Sequence, residues 1–273
     1  MKIIFKIWLV LIFFLEIITF RFSPAQTVLN IESDSTKYFL HIGEELTYIV
    51  KYAFLNLGEV KFHIKGNRII DGKYVTETNS YMDSYEGLPF VDLHQKYSSF
   101  CDSNYSPVKF IGVMFEEDTN FVQYSFNGDS VIKITKGDYT TRSINFDSTV
   151  YVNKKYQDGL SILFYSRKFV GTDSTHIIPC FVNEKEETTV LTFYSESEPV
   201  EIENVDYEID CLKIDGETDF VSVYGLTGEF EGWFSNDVHK VPIKAKMNVI
   251  IGSVTLELIQ WKTKNWNPPK YLN

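Results

Sequence analysis

The chain has 273 residues, 16% of them aromatic, and a formal net charge of −11. That acidity argues against nucleic acid, whose binding rests on lysine and arginine neutralising phosphates, and against a peripheral seat on anionic lipid. The length suits one large β domain as well as two smaller ones, and it buries enough surface to need neither a disulfide nor a metal for stability.

The first 25 residues read as a leader. Lys2 and Lys6 give a positive start, the apolar run Ile7 to Leu15 follows, and Ser23 and Ala25 place small residues where a signal peptidase reads. The expected cut lies between Ala25 and Gln26. A membrane anchor needs about 20 apolar residues, and any such window here includes Lys6, Glu16 or Arg21. No cysteine near the cut offers a lipid attachment point. Export to the periplasm is the expectation, with no transmembrane span left after cleavage. Without the leader, which holds Lys2, Lys6, Arg21 and Glu16, the formal charge becomes −13.

Beyond a lead-in at 26–41, period-two alternation dominates. Leu46, Tyr48, Val50, Tyr52 and Phe54 share one face, as do Val60, Phe62 and Ile64, and near the C-terminus Val241, Ile243, Ala245, Met247 and Val249. Such patterns specify antiparallel sheet with one face on a core. Further strands are predicted at 93–101, 107–115, 119–126, 130–136, 174–182, 187–195, 206–215 and 229–235. Asp71-Gly72 and Asn127-Gly128 supply the positive φ of two-residue hairpins, and Gly252-Ser253 joins the Val241 strand to Val254–Leu258. Tyr85 to Val91 is a helical turn or a loop. Asp158 to Val170 is the principal helix, with Asp158 as N-cap and Leu160, Leu163, Phe164 and Arg167 at spacings of three and four. With no repeat and no Pro/Gly-rich linker, 42–262 reads as one antiparallel β domain and 263–273 as a tail. The domain is mainly β: a large curved sheet, an incomplete barrel, with one helix on its concave face. A two-sheet sandwich fits the same pattern.

Catalytic motifs are missing. There is no phosphate loop (Gly225-Leu-Thr-Gly228 has too few glycines), no Cys-x-x-Cys or His-Glu-x-x-His, and no Gly-x-Ser-x-Gly elbow. The five histidines are scattered over separate strands, and the carboxylates gather at predicted strand ends, where they keep edges soluble and unpaired. No catalytic residue, metal or cofactor is expected. Cys180 and Cys211 fall on the first and third strands of a meander, about 9.6 Å apart, beyond the roughly 7 Å that a disulfide spans. With Cys101 they read as small buried hydrophobes. Tyr165 and Arg167 lie on a helix facing a sheet, where a charged head needs a carboxylate or a wet cavity. Trp233 reads as a core aromatic, Asp237 as a turn former, and Trp266 with Pro268-Pro269 as a strap or a frayed end.

Several of these motifs, in this order, carry a resemblance. Gly43-Glu44-Glu45-Leu46-Thr47-Tyr48, Leu57-Gly58-Glu59-Val60, Asp158-Gly159-Leu160-Ser161 with Tyr165 and Arg167, Trp233-Phe234-Ser235-Asn236-Asp237, Val241-Pro242-Ile243 and Gly252-Ser253-Val254 resemble the exported bacterial family catalogued as domain of unknown function 3108, from Ile42 to Lys262. Gly159 departs from the proline usual there and leaves the helix start less pre-organised. The resemblance implies no established activity. By shape its members look similar to periplasmic lipoprotein carriers, in which an incomplete barrel wraps a helix around an apolar cavity. The expectation is therefore a non-catalytic periplasmic carrier for a lipid or acyl ligand or a lipoprotein, with Leu160, Phe164, Tyr165, Arg167 and Trp233 as ligand-binding residues. The alternative is an envelope interaction module with a filled core, holding a protein partner. An enzyme would need a convergent cluster that the sequence does not offer.

Overall fold

The computed structural model describes residues 40–88, 92–115, 119–218, 220–221, 227–248 and 253–272. The expected leader, with Ala25 and Gln26, lies outside the described residues, as does Gly252 of the last hairpin turn. Eight strands come first: β1 (Glu45–Tyr52), β2 (Leu55–Ile70), β3 (Lys73–Ser84), β4 (His94–Cys101), β5 (Pro107–Phe115), β6 (Thr119–Asn127), β7 (Val131–Asp138) and β8 (Ile144–Tyr151). A crossing segment carries the helix α1 (Ser161–Ser166). Six strands follow: β9 (Ser174–Val182), β10 (Lys185–Val200), β11 (Ile209–Thr218), β12 (Gly228–Ser235), β13 (Pro242–Asn248) and β14 (Ser253–Lys262).

Every neighbouring pair in the sheet is antiparallel, and β14 returns to pair with β1. The described strands thus form one 14-stranded sheet in the order β8-β7-β6-β5-β4-β3-β2-β1-β14-β13-β12-β11-β10-β9. This single hydrogen-bonded layer sets aside the two-sheet sandwich. The sheet is not closed, since β8 and β9 are its edges. It is rolled all the same: Tyr124 of β6 meets Phe181 of β9 edge to face, ring centroids 5.1 Å apart, and Lys136 of β7 pairs at 2.8 Å with Glu184 beyond β9. Strands far apart in the order come together only if the sheet curls on itself. The right-handed twist of strands supplies that curl.

The inner face holds the main core. Leu46, Tyr48, Val60, Phe62, Ile64, Phe110, Ile132 and Ile134 belong to one cluster, and Val182, Leu191, Phe193, Leu212 and Ile214 to a second on the β9–β12 side. Residues of the crossing segment pack against both. The edge of β9 is partly covered: Gln157 makes a parallel bridge to Cys180, donating from its N–H to Pro179 O and accepting from Phe181 N–H, both at 2.8 Å. The tail is a strap. Asp210 N–H donates to Pro269 O, Tyr271 N–H to Glu208 O, and Trp266 Nε1 to Asp237 at 2.6 Å.

Several sequence expectations need correction. β3 and β8 are strands that were not predicted, and the first strand ends at Tyr52, leaving Phe54 at an exposed turn. Asp71-Gly72 makes the expected turn, both residues at positive φ. At Asn127-Gly128 only Gly128 has positive φ, and because Asn127 pairs with Val131 the loop has three residues. The break at Tyr85 contains a turn at Glu86-Gly87, with 89–91 outside the described residues. The helix is much shorter than Asp158 to Val170. After Ser166 the chain runs through turns, with Phe169 N–H donating to Ser166 O and Thr172 N–H to Phe169 O, and Gly171 at φ +87 completes the exit.

Candidate functional site

Asp158 anchors the crossing segment. Its Oδ1 accepts from the N–H groups of Leu160 and Ser161, at 2.8 and 2.6 Å, and its Oδ2 from Ser99 Oγ of β4 at 2.5 Å. Ser161 Oγ in turn accepts from Asp158 N–H at 2.9 Å. This reciprocal arrangement satisfies helix-start donors that would otherwise lack partners, and it ties the helix to the inner face of β4. Burial pushes the Asp158 carboxyl up to about 6, against the hydrogen bonds from Ser99, Ser161 and Leu160, which pull it down.

From that anchor α1 presents two sides. Leu160 and Phe164, one helical turn apart, are fully buried in the main core. Ile162 and Leu163 turn the other way, towards the β9–β14 half of the sheet, and there they line an apolar cavity with Ser166. The facing wall is built from inward positions of successive strands: Leu191, Ile214, Phe230, Ala245, Met247 and Leu256. Its volume is about 170 Å³. An apolar cavity of about 150 Å³ stays dry and takes up a molecule the size of benzene, so this one has room for an apolar group of that size. It extends towards Thr218 and Gly228 at the far end of β11 and β12.

Small residues create the space. The Phe230 ring lies flat against Gly216 on β11, where an added Cβ would stand 2.0 Å from the ring. Only glycine allows that position, and it lets the ring form wall rather than filling. On β13 Ala245 pairs with Gly232 of β12 and Leu256 of β14, so this part of the wall carries little side chain. Cys180 also borders the cavity, but burial raises its thiol to about 12, so it stays protonated and is no nucleophile. Cys101, Cys180 and Cys211 are all free and buried. Among the described residues no group of three or more His, Cys, Asp or Glu side chains is placed to hold a metal ion.

None of the five residues expected to bind ligand lines this cavity. Leu160 and Phe164 are core, as above. Arg167 pairs with Glu44 at 2.8 Å, the two side chains 0% and 2% exposed, and its guanidinium lies 5.5 Å from the Phe164 ring centre. Tyr165 is half-buried, its ring 5.3 Å from that of Phe169 with Lys168 above it. Trp233 stands between two inward residues, Gly232 and Phe234, so it points outward, and its Nε1 donates to Glu198. The neighbour Phe234 lines the cavity instead. Asp237 does form the turn, accepting from the N–H groups of His239 and Lys240.

With this geometry the chain can be set beside known proteins. Residues 47–259 match the family of proteins of unknown function DUF3108. The chain belongs to that family. The DUF3108 match runs from Thr47 in β1 to Ile259 in β14 and so takes in every strand of the cavity wall; Glu44 and the strap fall outside it. No curated protein matches the chain. Among solved structures it is similar to the β-barrel-like protein of the DUF1849 family from Brucella abortus, at 11% identity and a TM-score of 0.51, over 82% of this chain and 98% of that one. It is also similar to a candidate exported protein with a YmcC-like fold from Bacteroides fragilis, at 10% identity, a TM-score of 0.37 and 82% and 97% coverage. A candidate lipoprotein from Parabacteroides distasonis is 10% identical, with a TM-score of 0.33 and 83% and 98% coverage. The first of these supports a barrel-like sheet as the fold of this chain.

Proposed function

We propose that this chain is a non-catalytic carrier of the bacterial periplasm, exported by a cleavable leader, that shelters the hydrocarbon chain of a lipid or of a lipoprotein. The observation that carries this reading is the apolar cavity between Ile162, Leu163 and the inner face of β10–β14. Its one thiol is held protonated, which supports binding rather than chemistry. An apolar fluorophore, phenylnaphthylamine, tests the reading. The wild-type protein is expected to bind it with a strong gain in fluorescence, and dodecyl dimethylamine oxide to displace it. Ala245→Trp, which puts an indole into the space opposite Gly232, is expected to weaken uptake at least about tenfold. Equal uptake by both proteins counts against the cavity as the site.

A second reading, an envelope interaction module, draws on β8. This edge strand is exposed along most of its length, with Ile144, Phe146 and Tyr151 open to solvent, and unpaired strand edges recruit further strands.

A further inference from the structure

The interior is divided in two by the end of β9. Cys180 borders the apolar cavity, Phe181 borders a second cavity on the β4–β8 side, and Val182 and Gly159 border both. We propose that this second cavity is a saccharide site, so that the ligand is a glycolipid whose chain enters the first cavity and whose sugar occupies the second. For the chain alone this rests on the reading above; the sugar site stands on its own residues.

The second cavity measures about 490 Å³, within the usual range for small-molecule sites. One wall is an aromatic ladder across three strands. Tyr97 of β4, Phe110 of β5 and Tyr124 of β6 stack with centroids 5.8 and 5.4 Å apart and planes within 19°. Gly112 makes this possible, because a Cβ there would crowd the Tyr97 ring at 3.0 Å. The rest of the lining is rich in amides: Gln95, Asn120, Asn145 and Asn183. Among the described residues, the charged ones lining it are Lys136 and Glu184, which pair with each other at 2.8 Å.

That composition selects a ligand. A phosphate or carboxylate head would find no cation beyond one already neutralised. A neutral polyhydroxylated ring finds groups that suit it: amides that both donate and accept, phenolic oxygens, and apolar aromatic surface for its C–H groups. Two of the amides are partly engaged already, since Gln95 Oε1 accepts from Tyr97 Oη at 2.9 Å and Asn183 Nδ2 donates to Val221 O at 2.8 Å. The rim is also built at some cost. Asn183 and Glu184 form the two-residue β9–β10 turn with φ of 52° and 60° and no glycine, a conformation that side chains resist. Glu184 is held there by Tyr124, whose Oη donates to its Oε1 at 3.2 Å and accepts from its N–H at 3.3 Å. Positive φ at both positions is the geometry of a two-residue hairpin, and it sets Asn183 at the rim of the cavity, its Nδ2 donating to Val221 O at 2.8 Å.

Calorimetric titration of the full mature chain tests the proposal, with dodecyl β-glucoside, dodecyl β-maltoside and dodecyl dimethylamine oxide below their micellar concentrations. The glycosides are expected to bind about tenfold more tightly than the amine oxide, the equivalent of one or two additional hydrogen bonds. In the double variant Gln95→Leu, Asn145→Leu that preference is expected to vanish while affinity for the amine oxide stays. Circular dichroism checks that the variant folds, since Asn145 is exposed but Gln95 is half-buried and accepts from the core residue Tyr97 at 2.9 Å. Ala245→Trp should weaken all three detergents and leave the preference for sugar. Equal affinity for the three heads in the wild-type protein overturns the saccharide site, as does a preference that survives the double variant. If no detergent binds, the chain reading fails, and free maltose then decides the sugar site alone: line broadening that the double variant abolishes sustains it, and unchanged spectra overturn it.

Discussion

Replacing Arg167 by methionine is expected to destabilise the protein by about 3–5 kcal/mol, the usual cost of removing one partner from a buried ion pair. The reason is the carboxylate left behind. Glu44 is 2% exposed on its side chain and accepts a hydrogen bond from Arg167 Nη2 at 2.8 Å, while its other oxygen has no hydrogen-bond partner among the described residues. Nor can a neighbouring imidazole readily take over. Burial lowers the pKa of His41 and the charge of His239 adds to that effect, against the pull of Glu44; the smaller lowering by Arg167 is lost in the variant. Urea unfolding of Arg167→Met measures the loss. The double variant Glu44→Leu, Arg167→Met should recover most of it, since two apolar groups replace two desolvated charges. A loss below about 1 kcal/mol in the single variant would mean that the pair behaves as an exposed one.

Asp158 gives the second large effect, and its sign is opposite to that of most carboxylates. Its folded pKa, about 6, lies above the unfolded value of about 3.9. Between these values the folded state holds more protons, so stability falls as pH rises. The contribution is fully favourable below about pH 4, declines through pH 4 to 6, and is gone above; the window corresponds to about 3 kcal/mol. Asp158→Asn retains an acceptor for Leu160 and Ser161 and removes the titration. Unfolding free energies of the two proteins from pH 4 to 8 are therefore expected to diverge in favour of the variant as pH rises. A constant difference across that range would place the carboxyl in contact with water.

Much of the sheet was legible because inward and outward residues alternate, and the exceptions have physical causes. The inner positions of β3 are Thr78, Ser80 and Met82, opposite Ile64, Phe62 and Val60 of β2. Two of the three are hydroxyl residues, so the apolar rhythm fades although all are buried. β8 is an exposed edge and has no buried face to signal it. The helical spacing from Asp158 onwards was real, but the regular helix spans Ser161–Ser166 and the chain continues through turns to Gly171; tertiary context overrides local propensity there.

The cavity was harder to read. Its wall residues were visible as inward positions, Ala245 and Met247 among them, yet a void is set by which faces meet and by what is small between them. Gly216 and Gly232 look like strand weaknesses in the sequence; in the structure they accommodate Phe230 and Ile214. Alternation could have corrected one expectation without any structure. If Gly232 and Phe234 point inward, Trp233 cannot. Trp233 is instead partly buried against the main core cluster, in keeping with its reading as a core aromatic.

Native mass spectrometry of the mature protein, purified gently from its own envelope, tests the central claim most directly, run beside the Ala245→Trp variant and followed by lipid analysis of whatever is released. The account predicts that the wild-type protein carries an additional mass of a lipid, lost on organic extraction and missing from the variant. A clean apo mass for the wild-type protein, or the same adduct on both, would contradict it.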